Sequence, residues 1–115
     1  MIVTLNLIHE EEDSKVFSII ADGVKVGEIW ILVDFEDADG WCYVERIDVD
    51  EEFRNKGIGT QVLTRTLFDT CGWECRTVVV APDNDNARRL YERIGEDCSY
   101  TNFGYYDQGY GVYKI

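Results

Sequence analysis

The sequence predicts an α/β fold, with a mixed, mostly antiparallel sheet in which a crossover helix makes the fourth and fifth strands parallel. Three observations lead to this prediction. Apolar and polar residues alternate through the first half of the chain, as they do in half-buried strands. After Gly57-Ile58-Gly59 the apolar residues change to helical spacing. Residues 77–81 (TVVVA) then form a fully apolar, β-branched run, which is typical of a strand covered on both faces.

The first half of the chain indicates four strands in an antiparallel meander. The dipeptide Asp22-Gly23 between two apolar runs is a strong hairpin signal. The acidic stretches 10–13 and 36–40 are expected to be solvated turns or loops. The predicted strands are residues 2–8, 16–21, 24–34 and 41–49.

The second half indicates two helices around one strand, followed by a closing hairpin. Glycines divide the aromatic-rich stretch 98–115, which predicts two short antiparallel strands there. The first helical stripe is Val62, Leu63, Leu67 and Cys71. The second is Ala87, Leu90, Tyr91 and Ile94, ended by Gly95.

Length and composition restrict the class of protein. The chain has 115 residues, which fits one domain, 1–115, and 45% of them are hydrophobic, enough for an ordinary core. The net charge of −12 disfavours nucleic acid and anionic membranes as partners and favours a cationic substrate, such as an amine. A merely soluble acidic surface is the alternative. No apolar run approaches the ~20 residues of a membrane span. The N-terminus has no signal-peptide pattern, so a cytoplasmic location is expected.

The four cysteines do not predict a metal site. They have no CxxC spacing, and His9, the single histidine, does not complete a zinc set with them. We therefore expect reduced, partly buried thiols and no bound metal. A disulfide between Cys71 and Cys75 stays open as an alternative.

A glycine loop lies where a strand ends and a helix begins. The loop, Arg54-Asn55-Lys56-Gly57-Ile58-Gly59, suits a diphosphate because glycines bring backbone N–H groups close to an anion. The helix start adds unpaired donors, and Arg54 and Lys56 add positive charge. A plain strand-to-helix turn is the alternative reading.

This loop belongs to a longer stretch, 47–60 (IDVDEEFRNKGIGT), which resembles the coenzyme A-binding motif of the Gcn5-related N-acetyltransferase (GNAT) family. That family places R/Q-x-x-G-x-G/A five residues after a strand-end valine, here Val49. The resemblance implies that the backbone of Ile47 and Val49 pairs with the pantetheine arm of acetyl-CoA. It further implies that Arg54 and the loop amides hold the pyrophosphate. The loop residues concerned are Asn55, Lys56, Gly57, Ile58, Gly59 and Thr60.

A second stretch, 81–95 (APDNDNARRLYERIG), is similar to the family segment N-x-x-A-x-x-L-Y-E-x-x-G-F. By resemblance, Asn84 caps the helix or binds the cofactor, and the Tyr91 hydroxyl protonates the leaving thiolate. A core tyrosine is the alternative for Tyr91. The family's final Phe is Glu96 here, the fifth strand carries no carboxylate, and about eight residues replace the usual helices between the first two strands.

Glu45 is the candidate for the catalytic base. It has the same parity as Ile47 and Val49, so it shares their face of the strand unless a bulge intervenes. An exposed or salt-bridged residue is the alternative. Asp48 has the opposite parity. By resemblance, the Val49 N–H stabilises the oxyanion.

Together these observations predict an acetyl-CoA-dependent N-acetyltransferase acting on a primary amine of a small molecule or protein. The alternative is a non-catalytic acyl-CoA-binding module. The missing helices normally form a wall of the acceptor site, and a second subunit could supply it, so a homodimer is expected.

Overall fold

The computed structural model describes residues 1–34, 40–80, 102–107 and 111–114, the last two ranges by their backbone. The second predicted helix, with Asn84 and Tyr91, lies outside the described residues, as does Cys98.

The described chain contains seven strands and one helical region. The strands are β1 (Val3–Glu10), β2 (Ser14–Ala21), β3 (Val24–Val33), β4 (Trp41–Val49), β5 (Thr77–Val80), β6 (Asn102–Asp107) and β7 (Gly111–Lys114). The helical segments are a 3₁₀ turn (Glu51–Phe53), α1 (Ile58–Gln61), a π-helical turn (Val62–Thr66), α2 (Leu67–Cys71) and a second 3₁₀ turn (Gly72–Cys75).

All seven strands form one sheet in the order in which they occur in the chain. The first four strands pair antiparallel, β4 pairs with β5 in parallel, and β6 pairs with β7 antiparallel. The helical region connects β4 to β5, as a parallel pair requires. The predicted fold class is therefore confirmed. The sheet also contains a pair that was not predicted, since β5 and β6 are parallel neighbours.

The connection between β1 and β2 is shorter than the sequence suggested. The predicted strands left about eight residues between them, whereas only residues 11–13 separate the observed strands. The difference arises because both strands extend into the acidic turn, where Glu10 is paired with Lys15. The prediction that no helix lies between the first two strands is confirmed.

The hairpin between β2 and β3 has the predicted turn. Asp22 and Gly23 both have positive φ, 49° and 83°. Two consecutive positive φ values match the right-handed twist of the flanking strands, and Asp and Gly are among the few residues that tolerate them.

The helical region covers one face of the sheet. Val62, Leu63 and Leu67 are buried and Cys71 is half-buried, which confirms the predicted helical stripe. The π-helical turn was not predicted. Its wider winding accompanies the burial of Thr66, which donates to the carbonyl of Gln61 at 3.3 Å. Among the described residues, no helix is long and apolar enough to span a membrane.

Candidate functional site

A cleft of about 540 Å³ lies between the end of β4 and the start of α1. Eight of the ten residues predicted to bind the cofactor line it. Lys56 is exposed and is not among the lining residues, and Asn84 lies outside the described residues. The lining residues are Ile47, Val49, Phe53, Arg54, Asn55, Gly57, Ile58, Gly59, Thr60 and Leu63.

The backbone of β4 turns its hydrogen-bonding groups toward this cleft. The Asp50 N–H donates to the carbonyl of Val26 in β3 at 2.8 Å. In an antiparallel pair, residues whose backbone N–H and C=O groups bond to the partner strand alternate with residues whose backbone groups point away from it. Since the register pairs Ile47 with Ile29 and Val49 with Gly27, the N–H and C=O groups of Ile47 and Val49 point away from β3. They face the side on which β5 pairs.

On that side, the described strand pairing stops before the cleft. β5 pairs with β4 from Trp41 to Val44, and its last described residue is Val80. The backbone groups of Ile47 and Val49 therefore lie on an edge that no described strand pairs with. Such an edge is suited to an extended ligand with amide groups, because main-chain hydrogen bonds can add it like another strand.

The Arg54 side chain binds the backbone at the end of this strand edge. Its Nε–H donates to the Val49 carbonyl at 2.8 Å, and its backbone N–H donates to the Glu51 carbonyl at 3.2 Å. The Val49 carbonyl is thus already bonded within the chain. The Val49 N–H, on the same edge, remains directed toward the cleft.

The loop before α1 is shaped by two residues with left-handed backbone. Asn55 has a φ of 62° and Gly57 a φ of 78°, and Gly57 is the residue immediately before the helix. Gln61 N–H donates to the Gly57 carbonyl at 3.0 Å, which closes the first turn. No side chain within the described residues caps this start. The first-turn N–H groups of the helix therefore point out of its end, as they do in anion-binding sites.

The loop also leaves room for a ligand. Among the described residues, nothing lies within 4 Å of a Cβ atom added at either Gly57 or Gly59. Both glycines line the cleft. Donor groups from a helix start, a strand edge that no described strand pairs with and a cleft of this size together fit the diphosphate and pantetheine parts of coenzyme A.

A β-bulge changes the geometry expected for Glu45. Arg46 pairs with Trp30 and Val44 pairs with Ile31, so Glu45 is an extra residue with no Cα partner on β3. Ile47 and Val44 face the same side, because their partners Ile29 and Ile31 are both core residues. The bulge therefore interrupts the two-residue alternation on which the expected orientation of Glu45 depended. Glu45 is exposed at the bulge, two residues before the cleft residue Ile47, and it is not among the residues that line the cleft. Its role as base stays a prediction.

The opposite face of β4 carries a set of paired side chains. The Arg46 guanidinium lies over the Trp30 ring, 5.2 Å from its centroid, and its Nε–H donates to the Asp48 carboxylate. Asp48 has the orientation predicted for it, away from the side of Ile47 and Val49. Its carboxylate is bound to Arg46, which makes it a poorer candidate for a base than Glu45.

The described cysteines are free thiols. Cys42 and Cys75 are buried and Cys71 is half-buried, and none forms a disulfide. A hydrogen bond to Cys75, with burial, raises the pKa of the Cys71 thiol, and a hydrogen bond to Cys42 raises the pKa of the Cys75 thiol. Both therefore stay protonated at neutral pH. Within the described residues, no group of His, Cys, Asp and Glu side chains is arranged to hold a metal ion.

Sequence reasoning missed two residues of the cleft, Phe53 and Leu63. Leu63 was assigned to the core stripe of the helix, and it is buried, but it also forms part of the cleft floor. Phe53 is the only apolar residue in the acidic stretch before Arg54, and it packs against the core. That isolated apolar position was the signal that could have identified it.

The chain matches a known protein family. A model of the acetyltransferase (GNAT) family matches residues 2–95, most of the chain and all of the cleft. Among curated proteins, N-alpha-acetyltransferase 30 of Xenopus laevis is 29% identical over 75 residues, which is 64% of this chain and 28% of that protein. The human protein of the same name is 28% identical over 64% of this chain and 21% of its own length. The chain thus spans less than a third of the length of these relatives.

Solved structures share the fold. A Bacillus subtilis acetyltransferase in complex with CoA matches with a TM-score of 0.60 and 14% identity, over 81% of this chain and 75% of the other. AAC(6')-Iy in complex with the bisubstrate analogue CoA-S-monomethyl-acetylneamine matches with a TM-score of 0.56 and 21% identity, over 74% and 63%.

Proposed function

Because this chain belongs to the acetyltransferase (GNAT) family, we propose that it transfers an acetyl group from acetyl-CoA to a primary amine. The main observation behind the proposal is that one cleft combines backbone N–H donors from two elements. The start of α1 offers the N–H groups of a glycine loop, and the open edge of β4 offers those of Ile47 and Val49.

Each part of the cleft matches one part of the proposed substrate. The first-turn amides and the positive end of the helix suit the pyrophosphate. The β4 edge suits the amides of pantetheine, which would extend along Ile47 and Val49 like an added strand. Phe53 and Leu63 give the cleft an apolar lining against which the arm can pack. The thioester would then lie within reach of the Val49 N–H, with Glu45 four residues earlier on the same strand.

The proposed chemistry needs three groups from the protein. The amine nitrogen attacks the thioester carbonyl carbon, and the Val49 N–H donates to the carbonyl oxygen as negative charge develops on it. Glu45 accepts the proton lost by the amine, directly or through water. When the carbon–sulfur bond breaks, Tyr91 supplies the proton that the thiolate takes up. The role of Tyr91 rests on the sequence motif.

The acceptor is proposed only as a class. The relatives are named N-alpha-acetyltransferase, which suggests an α-amine as acceptor, and the ligand of one matching structure includes acetylneamine. Both acceptors are amines that carry positive charge at neutral pH, and the net charge of −12 favours cations near this protein. We therefore propose a cationic amine, with peptide N-termini and aminoglycosides as the first groups to test.

A direct experiment separates binding from turnover. Calorimetry with acetyl-CoA measures binding, and a thiol-release assay with peptides, aminoglycosides and polyamines measures transfer. We expect binding of acetyl-CoA and amine-dependent release of CoA. If acetyl-CoA does not bind, the proposal is wrong.

A second candidate, a non-catalytic acyl-CoA-binding module, is favoured by one observation. The three-residue connection between β1 and β2 leaves no helix to wall the acceptor side of the sheet. Tight binding of acetyl-CoA with no turnover of any amine would support this alternative. We propose that a second subunit supplies the missing wall in the enzyme, and light scattering on the protein with and without acetyl-CoA would show whether a dimer forms.

A further inference from the structure

The Arg54 side chain folds back onto the end of β4. Its Nε–H donates to the Val49 carbonyl, and its own backbone is anchored to Glu51 in the 3₁₀ turn. Arginine binds phosphate through two parallel N–H donors of its guanidinium group. The bond to Val49 occupies Nε–H, so only the terminal N–H groups of Arg54 are left for a phosphate.

The same bond fixes one peptide plane of the site. The peptide between Val49 and Asp50 is held at both ends, because its carbonyl accepts from Arg54 at 2.8 Å and its N–H donates to Val26 at 2.8 Å. Fixing this plane restricts the backbone torsions of Val49. The N–H of Val49 belongs to the preceding peptide, so its direction depends on these torsions.

The surroundings of Arg54 reduce its value as a phosphate ligand. Asp50, Glu51 and Glu52 come directly before the loop and line a shallow depression of their own. Their carboxylates lower the positive potential around an exposed guanidinium. Lys56, between Asn55 and Gly57 in the loop, is exposed and has no acidic residue within two positions in the sequence.

We propose that Arg54 is a positioning residue, which acts on the reaction through the Val49 peptide and not mainly through the phosphates of coenzyme A. The inference rests on the proposed function. In this role Arg54 ties the open edge of β4 to the glycine loop, so that the donor groups for the pantetheine arm and the thioester keep a fixed spacing from those for the pyrophosphate.

The test compares two acetyl donors. Acetyl-CoA carries the phosphates, whereas S-acetylpantetheine has the same thioester arm without them. We expect Arg54→Ala to lower kcat/KM by about tenfold with both donors, the loss expected from one charge-assisted hydrogen bond. Arg54→Gln keeps an N–H donor and removes the charge. Its kcat/KM should lie between those of Arg54→Ala and the wild type with both donors. Lys56→Ala is the matched control, and it should lower kcat/KM with acetyl-CoA but not with S-acetylpantetheine.

A second readout does not depend on turnover. Hydrogen exchange of the Asp50 amide reports whether the Val49–Asp50 peptide is held, and in Arg54→Ala it should become at least several-fold faster than in the wild type. Unchanged exchange, or Arg54→Ala activity that falls with acetyl-CoA and stays at the wild-type value with S-acetylpantetheine, would overturn the proposal. Failure of acetyl-CoA to bind the wild-type protein would instead overturn the proposed function and leave the exchange result to decide the role of Arg54.

Discussion

Gly27 of β3 lies so close to β4 that a Cβ atom on it would overlap the carbonyl oxygen of Asp48. Gly27 pairs with Val49, the residue whose N–H points toward the cleft. The carbonyl of Asp48 and the N–H of Val49 belong to the same peptide. The absence of a side chain at Gly27 therefore permits the approach of β3 that supports this peptide from behind.

Gly27→Ala should damage both the fold and the site. The added methyl group must push β3 and β4 apart, and such overpacking costs about 1–3 kcal/mol of unfolding free energy. Since the displaced peptide carries the Val49 N–H, acetyl-CoA should also bind more weakly. Urea denaturation and calorimetry measure the two effects. Gly59→Ala is the control for stability, because its Cβ meets open space in a helical turn. A Gly27→Ala protein as stable as the wild type would show that the strands can separate without cost.

Gly59→Glu should abolish acetyl-CoA binding while the protein stays folded. Gly59 has open space around its missing Cβ and lines the cleft, so a glutamate there fills the proposed ligand space and places a negative charge beside the pyrophosphate. We expect at least a hundredfold weaker binding by calorimetry, with little change in Tm. Thr70→Glu adds the same charge near the far end of the helical region and should bind normally. Equal affinity in all three proteins would place the ligand elsewhere.

The sequence predicted those features that depend on local chemistry. Asp22-Gly23 specifies its hairpin because few residues tolerate two positive φ values, and Gly57 marks the helix start for a similar reason. The bulge at Glu45 could not be predicted, because it depends on how β4 aligns with Trp30 and Ile31 on another strand. The bond from Arg54 to Val49 was missed because the sequence shows the charge of an arginine and not the direction in which its side chain folds.

Tyr91→Phe tests the proposed acid and rests on the L-Y-E-x-x-G segment. Removing the hydroxyl should lower kcat by one to two orders of magnitude, roughly the usual contribution of general acid catalysis. The affinity for acetyl-CoA should change little, because the ring remains. Steady-state kinetics at saturating amine and calorimetry separate the two. Unchanged turnover would favour the alternative, in which Tyr91 is a core residue without a catalytic role.

Lys15 should stabilise the protein in a pH-dependent manner. Its Nζ donates to the Glu74 carboxylate at 2.9 Å, and this hydrogen bond raises the pKa of Lys15 above its ordinary value of 10.5, although burial acts in the opposite direction. A raised lysine pKa means that the stabilisation is fully present below the ordinary pKa. It is lost as the pH rises through the pKa of the folded state.

Lys15→Met should therefore lower the unfolding free energy by up to about 1 kcal/mol, a figure kept small because Glu74 is partly exposed. The difference from the wild type should be constant between about pH 6 and pH 9 and shrink above pH 10.5. Lys25→Met, which removes a more exposed pair with Glu28, is the control and should cost less. A difference that persists at high pH would assign the effect to packing of the lysine stem.

Glu45→Gln tests the proposed base at the bulge. Glutamine keeps the size and hydrogen-bonding capacity of glutamate and removes its basicity, so the substitution isolates proton transfer from packing. We expect kcat/KM to fall by about tenfold or more near neutral pH. The loss should shrink as the pH rises, because free amine then becomes abundant without help. Asp48→Asn is the matched control, since its carboxylate faces away from the side of Ile47 and Val49 and is bound to Arg46. Activity of Glu45→Gln within about twofold of the wild type across the pH range, or an equal loss in Asp48→Asn, would remove Glu45 from the mechanism and leave water as the acceptor of the amine proton.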